Sequence, residues 1–365
     1  MKSDGFYKIE KKLLLVTFPV DLGNETYETR LINIFKNCPD LDLKVHRFTS
    51  VLKKGQPKKK LSVYYFLIIL KRIFCSVRLC EEIRRAKKEG RKILFHGVSP
   101  AFFAYPLQSA GSSYIVTDWT KKLYDPLYYP RHNSSPLLIT CIHKKILNSQ
   151  KYVFCLTDAV LEEIARDYEV PKDKLKKTKV PFSYDLDIFS PSPDRKDKEV
   201  RILFVGGDFQ RKGGDALLKW FVKNNDENLR LTIVTKDLPD LVHPRLKVEI
   251  NVNQGSQRHV ELFNENDIFV LPTTVDGYPV VLGEAACAGL TVLTTKNALG
   301  APEVIKEGVN GHICGSQEEL FDKLDILIKD KKRIESMKRK SRELMEKEFN
   351  REKVLNEYLD FVFKK

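Results

Sequence analysis

Val275-Asp276-Gly277-Tyr278-Pro279-Val280-Val281-Leu282-Gly283-Glu284-Ala285-Ala286-Cys287-Ala288-Gly289 is the stretch on which the reading of this chain turns. It follows Ile268-Phe269-Val270-Leu271, an apolar run closed by Pro272 that reads as a buried strand. Gly277 and Pro279 punctuate a turn, and the small residues from Gly283 to Ala288 suit a helix lying close on a sheet. Asp276 and Glu284 thus bracket a strand-to-helix loop at the carboxyl end of a strand, where open α/β sheets bind ligands. A helix N-terminus there offers backbone N–H groups to a phosphate or a sugar oxygen. Taken alone, the stretch also fits a surface turn with two solvated acids ahead of a core helix.

A second stretch, Phe204-Val205-Gly206-Gly207-Asp208-Phe209-Gln210-Arg211-Lys212-Gly213-Gly214, gives the first its meaning. Glycine between a strand and a helix lets backbone N–H groups approach a phosphate, and Arg211 and Lys212 add positive charge beside it. Glycine-rich turns are common by themselves. Two such loops at the carboxyl edge of one sheet bring cations and acids around one ligand.

The surrounding pattern supports that sheet. Apolar runs at residues 12–18, 42–48, 92–96, 114–117, 152–156 and 174–180 read as strands, separated by helical segments at 26–37, 61–88, 101–109 and 158–168. After a polar, proline-bearing stretch at 184–198, strands follow at 200–205, 231–235, 246–252, 268–271 and 291–294. Helices are expected at 215–223, 258–263, 283–288, 318–329 and 332–348, with a last one at the end of the chain. Such alternation predicts parallel, doubly wound α/β sheets.

The chain has 365 residues, 42% hydrophobic and 31% charged, enough for two ordinary domains and unlike a disordered polymer. Its net charge of +14 calls for an anionic partner without choosing one. No recognisable nucleic-acid-binding motif accompanies the lysines, so nucleic acid is not expected. Seven scattered cysteines suggest reduced, mostly buried thiols in a cytoplasmic protein. The polar first residues show no secretory signal, and Lys71-Arg72 cut the apolar run from Leu61 well short of the roughly 20 residues that span a bilayer.

The pattern Phe-Val-Gly-Gly-Asp-Phe-x-Arg-Lys-Gly-Gly-Asp-x-Leu-Leu comes first, and two acids separated by seven residues follow it. Gly300-Ala301-Pro302-Glu303 and Gly308-x-Asn310-Gly311 complete the series. In content and order it resembles the donor domain of retaining family-4 glycosyltransferases. The resemblance is strong over residues 200–314 and diffuse before them. It implies a GT-B architecture: two Rossmann-like doubly wound parallel-sheet domains facing a cleft. The boundaries would be 1–185 for the acceptor side, 186–198 for a linker and 199–345 for the sugar-nucleotide domain. Residues 346–365 would form a helix packing back on the first domain.

The resemblance also implies roles. Lys212 would hold the diphosphate of a nucleoside diphosphate sugar, with Arg211 beside it, and both would stabilise the leaving group. Glu284 would accept hydrogen bonds from the ribose, and Asp276 from hydroxyls of the donor sugar. Gly206 and Gly207 would form the phosphate turn, and Gly277, Tyr278, Pro279, Val280, Val281 and Leu282 the sugar-side loop. The base would lie near Thr235, Lys236, Val252 and Asn253. His96, Asp118, Trp119 and Lys121 are the acceptor-side candidates, although a satisfied structural role for His96 and a helix cap with a packed indole for Asp118 and Trp119 stay open. No metal and no cofactor are implied, since lysine and arginine take the metal's part.

Three features depart from the family's pattern. Asp276 stands where glutamate is usual, Gly207 where arginine is usual, and Thr117-Asp118 where a His-Asp pair is frequent. The acceptor implied is a glycan or lipid-linked saccharide in cell-surface polysaccharide synthesis. Contact with an anionic membrane surface would run through Lys53, Lys54, Lys58, Lys59 and Lys60 and the segment from Leu61 to Cys80. The rival readings are another GT-B sugar-nucleotide enzyme of epimerase type and a non-catalytic, membrane-associated sugar-nucleotide binder.

Overall fold

The computed structural model describes residues 11–18, 22–48, 61–108, 111–120, 137–180, 185–191, 197–236 and 241–364. Lys121 and the lysines between 53 and 60 lie outside the described residues. Two compact units emerge: Met1–Thr178 with Asn356–Lys365, and Lys179–Leu355.

In the first unit, β1 (Lys11–Thr17), β2 (Leu41–Arg47), β3 (Lys92–His96), β4 (Ser113–Thr117), β5 (Tyr152–Cys155) and β6 (Leu175–Lys177) form a six-stranded sheet in the order β2-β1-β3-β4-β5-β6. Every pairing is parallel. Leu13, Leu14, Leu15, Val16, Ile93, Leu94 and Phe95 are fully buried, as expected of strands covered on both faces. The connecting helices are α1 (Leu22–Lys36), α2 (Leu61–Lys88), α3 (Val98–Phe103), α4 (Leu137–Asn148) and α5 (Asp158–Asp167). Thr157 caps α5, its side chain accepting from the Val160 N–H at 3.1 Å.

In the second unit, β7 (Val200–Val205), β8 (Leu229–Thr235), β9 (Leu246–Ile250), β10 (Ile268–Leu271), β11 (Thr291–Thr295) and β12 (Gly311–Cys314) form another parallel sheet, in the order β12-β11-β10-β7-β8-β9. Its helices are α6 (Gly214–Lys223), α7 (Gln257–Asn264), α8 (Val280–Cys287), α9 (Ala301–Val304), α10 (Gln317–Leu327) and α11 (Lys331–Glu348). The order reverses between β7 and β10, the position at whose carboxyl edge open α/β sheets bind ligands. Both quoted stretches sit at that point.

A final helix, α12 (Arg351–Phe363), ends in the first unit. The Tyr358 ring lies 4.1 Å from Phe154 and 5.7 Å from Phe35, and the Tyr114 hydroxyl donates to the Val362 carbonyl at 2.8 Å.

Several expectations need correction. Helix α8 starts at Val280, not Gly283, because Pro279 is its N-cap and tertiary packing draws two valines into the first turn. Strand β9 ends at Ile250, since Asn251 turns into the left-handed region at φ 58°. Helix α4 was not anticipated at all. The cysteines are free, as expected, but only Cys155, Cys287 and Cys314 are buried, and Cys141 is exposed.

Candidate active site

The glycine turn after β7 and the acid loop after β10 are joined backbone to backbone. The Arg211 carbonyl accepts from the Thr274 N–H at 3.0 Å and from the Thr273 hydroxyl at 3.1 Å. Gly213 adopts φ +80°, and a Cβ built on it would stand 2.0 Å from the Pro272 carbonyl oxygen. Only glycine lets the chain turn this way and approach this closely.

That join sets the charges. The Arg211 guanidinium donates to the Val275 carbonyl at 2.8 Å and to Asp208 at 3.0 Å, and one of its nitrogens lies 3.8 Å from Asp276 Oδ2. Lys212 Nζ donates to the same Asp276 oxygen. Both side chains of that pair are largely buried. Burial, and then the neighbouring Arg211 charge, push the Lys212 ammonium down to about 7, with Asp208 opposing. Asp276 is fixed through its backbone, its N–H donating to Asn297 and its carbonyl accepting from Leu299, both at 2.9 Å.

Glu284 lies one turn into α8 and is 2% exposed. Its Oε1 accepts from Gln254 Nε2 at 2.9 Å, and its Oε2 is 3.7 Å from His259 Nε2. Helix α8 has no side-chain cap, so its amino end keeps the charge character that favours anions. Gly277, Tyr278 and Pro279 form the buried approach to it, and Val280, Val281 and Leu282 are its first turn.

The remaining donor candidates fall on the same edge. Thr235 ends β8, and the Lys236 stem passes within 3.7 Å of where a Gly207 side chain would begin. Val252 and Asn253 lie in the loop after β9. Gly206 is buried against Phe204 and the Lys212 stem. Glu303, from the Gly300–Glu303 motif, is buried in α9.

On the first unit, Asp118 and Trp119 follow β4, where the Trp119 N–H donates to the Thr117 hydroxyl at 3.1 Å. His96 ends β3 but is buried against the Tyr27 ring, with centroids 4.6 Å apart. Burial drives its imidazole down to about 4, so it is neutral near pH 7. Helix α1 covers the end of β3 with Tyr27, which packs on His96.

Asp208, Gln254 and His259 belong to this constellation without having been expected there. The sequence signal for Asp208 was its position three residues before Arg211, the spacing at which side chains meet in a helical turn. For Gln254 and His259 there was only a loop and a capping serine, with nothing pointing to Glu284.

Two six-stranded parallel sheets with this strand order and these flanking helices make a GT-B fold. Residues 187–344 match the family "Glycosyl transferases group 1". An uncharacterized glycosyltransferase of Haemophilus influenzae is 32% identical over 167 residues, 43% of this chain and 47% of that protein. The chain thus spans about half the length of the curated relatives it matches. Among solved structures, sucrose-phosphate synthase from Thermosynechococcus elongatus aligns with a TM-score of 0.69 at 14% identity, covering 96% of this chain and 98% of that one. Anabaena HepE, solved in complex with UDP, aligns with a TM-score of 0.68 at 14% identity, with the same coverages.

Proposed function

We propose that this chain is a retaining, metal-independent glycosyltransferase that moves a hexosyl group from a nucleoside diphosphate sugar. The observation that carries the reading is the convergence of Lys212 and Arg211 on Asp276 at the sheet's reversal point, with Glu284 on the adjoining helix. Cations from one loop meet acids from the other at the sheet's carboxyl edge, a combination that suits a diphosphate and a sugar.

In this reading Lys212 leaves Asp276 for the diphosphate, and Arg211 adds a second charge. As the bond between the sugar and the phosphate oxygen breaks, negative charge grows on the leaving oxygens, where both cations stabilise it. Asp276, released from Lys212, accepts hydrogen bonds from the sugar hydroxyls. The departing phosphate oxygen takes the proton of the attacking acceptor hydroxyl, so the new bond forms on the face the old one left. No protein nucleophile is required.

We assign the acceptor to the first unit, near Asp118 and Trp119, and its class to glycans or lipid-linked saccharides of the cell surface. Helix α2 supports work beside a membrane, since Ile73, Phe74 and Val77 are more than half exposed and Arg78 lies over the Phe74 ring at 5.8 Å. Among the described residues no helix is long and apolar enough to cross a membrane.

The deciding experiment is a metal-free thermal-shift panel of UDP, GDP, ADP and CDP with their common sugar conjugates. A selective rise in melting temperature, lost in Lys212→Ala, supports the reading, and slow hydrolysis of the same donor distinguishes an enzyme from a binder. No shift from any member would overturn it.

A further inference from the structure

Glu284 meets two side chains from outside its own helix, Gln254 by a hydrogen bond to Oε1 and His259 at 3.7 Å from Oε2, and both come from one short segment. Gln254 stands in the loop between β9 and α7, and His259 in the first turn of α7. The loop is bent by Asn251 at φ 58° and Gly255 at φ 75°. Ser256 caps α7 by accepting from the His259 N–H at 3.2 Å, which fixes the angle at which the imidazole leaves the helix.

His259 Nδ1 accepts from the Gly255 N–H at 3.4 Å. The other ring nitrogen, Nε2, faces Glu284 Oε2 at 3.7 Å. Phe189 and Phe263 meet the imidazole edge to face, with centroids 5.9 and 5.2 Å away, and leave it little room to rotate. Gln254 Nε2 is the donor on the other side, 2.9 Å from Oε1.

From this arrangement we infer that Gln254 and His259 are positioning residues, which orient the Glu284 carboxylate toward the sugar of the nucleotide and so set selectivity for a ribose diol. The inference rests on the transferase reading, in which Glu284 accepts from ribose hydroxyls. A carboxylate has about four acceptor sites. With Gln254 holding one of them from the loop side and the His259 ring standing beside Oε2, the plane of the group is set.

Val252 and Asn253, the base-side candidates, stand on the same loop immediately before Gln254. Base and ribose recognition thereby share one backbone segment. A base seated against residues 252–253 steadies Gln254, and Gln254 steadies the carboxylate beneath the ribose.

The test is calorimetric titration with whichever of UDP, GDP, ADP and CDP the wild-type protein binds, compared with its 2′-deoxy form. Gln254→Leu removes the donor to Oε1 and His259→Leu the ring beside Oε2, so the ribonucleotide should weaken by about tenfold or more. The deoxy form should change far less, so the ratio of the two affinities collapses. His259→Gln puts an N–H at this position and should recover part of the ratio. Gln254 lies in an exposed loop, so its variant keeps the test valid if His259→Leu fails to fold. An unchanged ratio in Gln254→Leu, or an equal loss for both nucleotides, overturns the inference and leaves the transferase reading intact. A wild-type protein that binds no nucleotide overturns both.

Discussion

The Lys212 ammonium donates to the Asp276 carboxylate across 64 residues of sequence, joining the loop after β7 to the loop after β10. Each group is thereby neutralised by a partner that the proposed substrate must displace. The diphosphate suits the ammonium, and sugar hydroxyls suit the carboxylate. A donor carrying both groups satisfies the two residues at once, whereas a nucleotide without its sugar frees an acid that gains nothing in return.

Substitutions at the two ends of the pair should therefore differ. Lys212→Ala should lower turnover by about two orders of magnitude or more, the range seen when a stabilising contact to a developing charge is removed. Asp276→Asn should also slow turnover, yet it should tighten binding of the free nucleoside diphosphate, because Lys212 is then available without breaking an ion pair. Steady-state rates with calorimetric affinities check both. Near wild-type turnover in a folded Lys212 variant would remove it from the chemistry.

Proton uptake offers an independent handle. The Lys212 ammonium titrates at about 7 in the ligand-free protein, against an ordinary value of 10.5. A bound diphosphate favours the charged form, so binding above that value should take up a proton. Uptake should approach one proton at about pH 8.5, and affinity should fall as pH rises through 7. Stability moves oppositely: between about 7 and 10.5 the unfolded chain binds more protons at this lysine, so its titration raises ligand-free stability with pH. Titrations in buffers of different ionisation enthalpy measure the uptake, which should vanish in Lys212→Met.

Two neighbouring glycines should respond differently to alanine. A Cβ at Gly213 would collide with the Pro272 carbonyl and strain a backbone at φ +80°, whereas one at Gly207 meets only the Lys236 stem at an ordinary 3.7 Å. Gly213→Ala should cost about 2 kcal/mol or more, lowering Tm by about 4–8 °C. Gly207→Ala should leave Tm nearly unchanged. Equal melting temperatures would mean that the two loops are not joined as described.

Vesicle binding tests the surface of α2. Replacing Ile73 and Phe74 by serine should weaken association with vesicles containing anionic lipid while sparing donor hydrolysis. Neutralising the lysines between 53 and 60 should act in the same direction through charge. Sedimentation that neither change alters would exclude this face as the contact.

The sheets were legible because strands buried on both faces must be nearly all apolar, as in Leu13-Leu14-Leu15-Val16 and Ile268-Phe269-Val270-Leu271. The meeting of Lys212 with Asp276 was legible because a glycine turn and an acid loop at the carboxyl edge of one sheet bring their charges together. Helix α4 was missed because its apolar residues, Leu138, Ile139, Ile142, Ile146 and Leu147, follow an aromatic, proline-rich stretch that does not announce a helix start. The amino end of α8 was set too late because two β-branched residues and a proline argue locally for extended chain, and packing overrides them. Gln254 and His259 were invisible for another reason. Their meeting with Glu284 depends on how far α7 and its loop reach over α8, and no local pattern encodes that distance.

Helix α12 has a consequence for how the molecule is made. Tyr358 and Phe361 complete an aromatic cluster with Phe35, Tyr152 and Phe154 on the first sheet. A ribosome delivers them only after the whole span from 179 to 355 has emerged. The second unit is continuous and can close as soon as it leaves the exit tunnel. Through that interval the rings of Phe35 and Phe154 lack the cover that Tyr358 gives them. Of the two units, the one translated first is finished last.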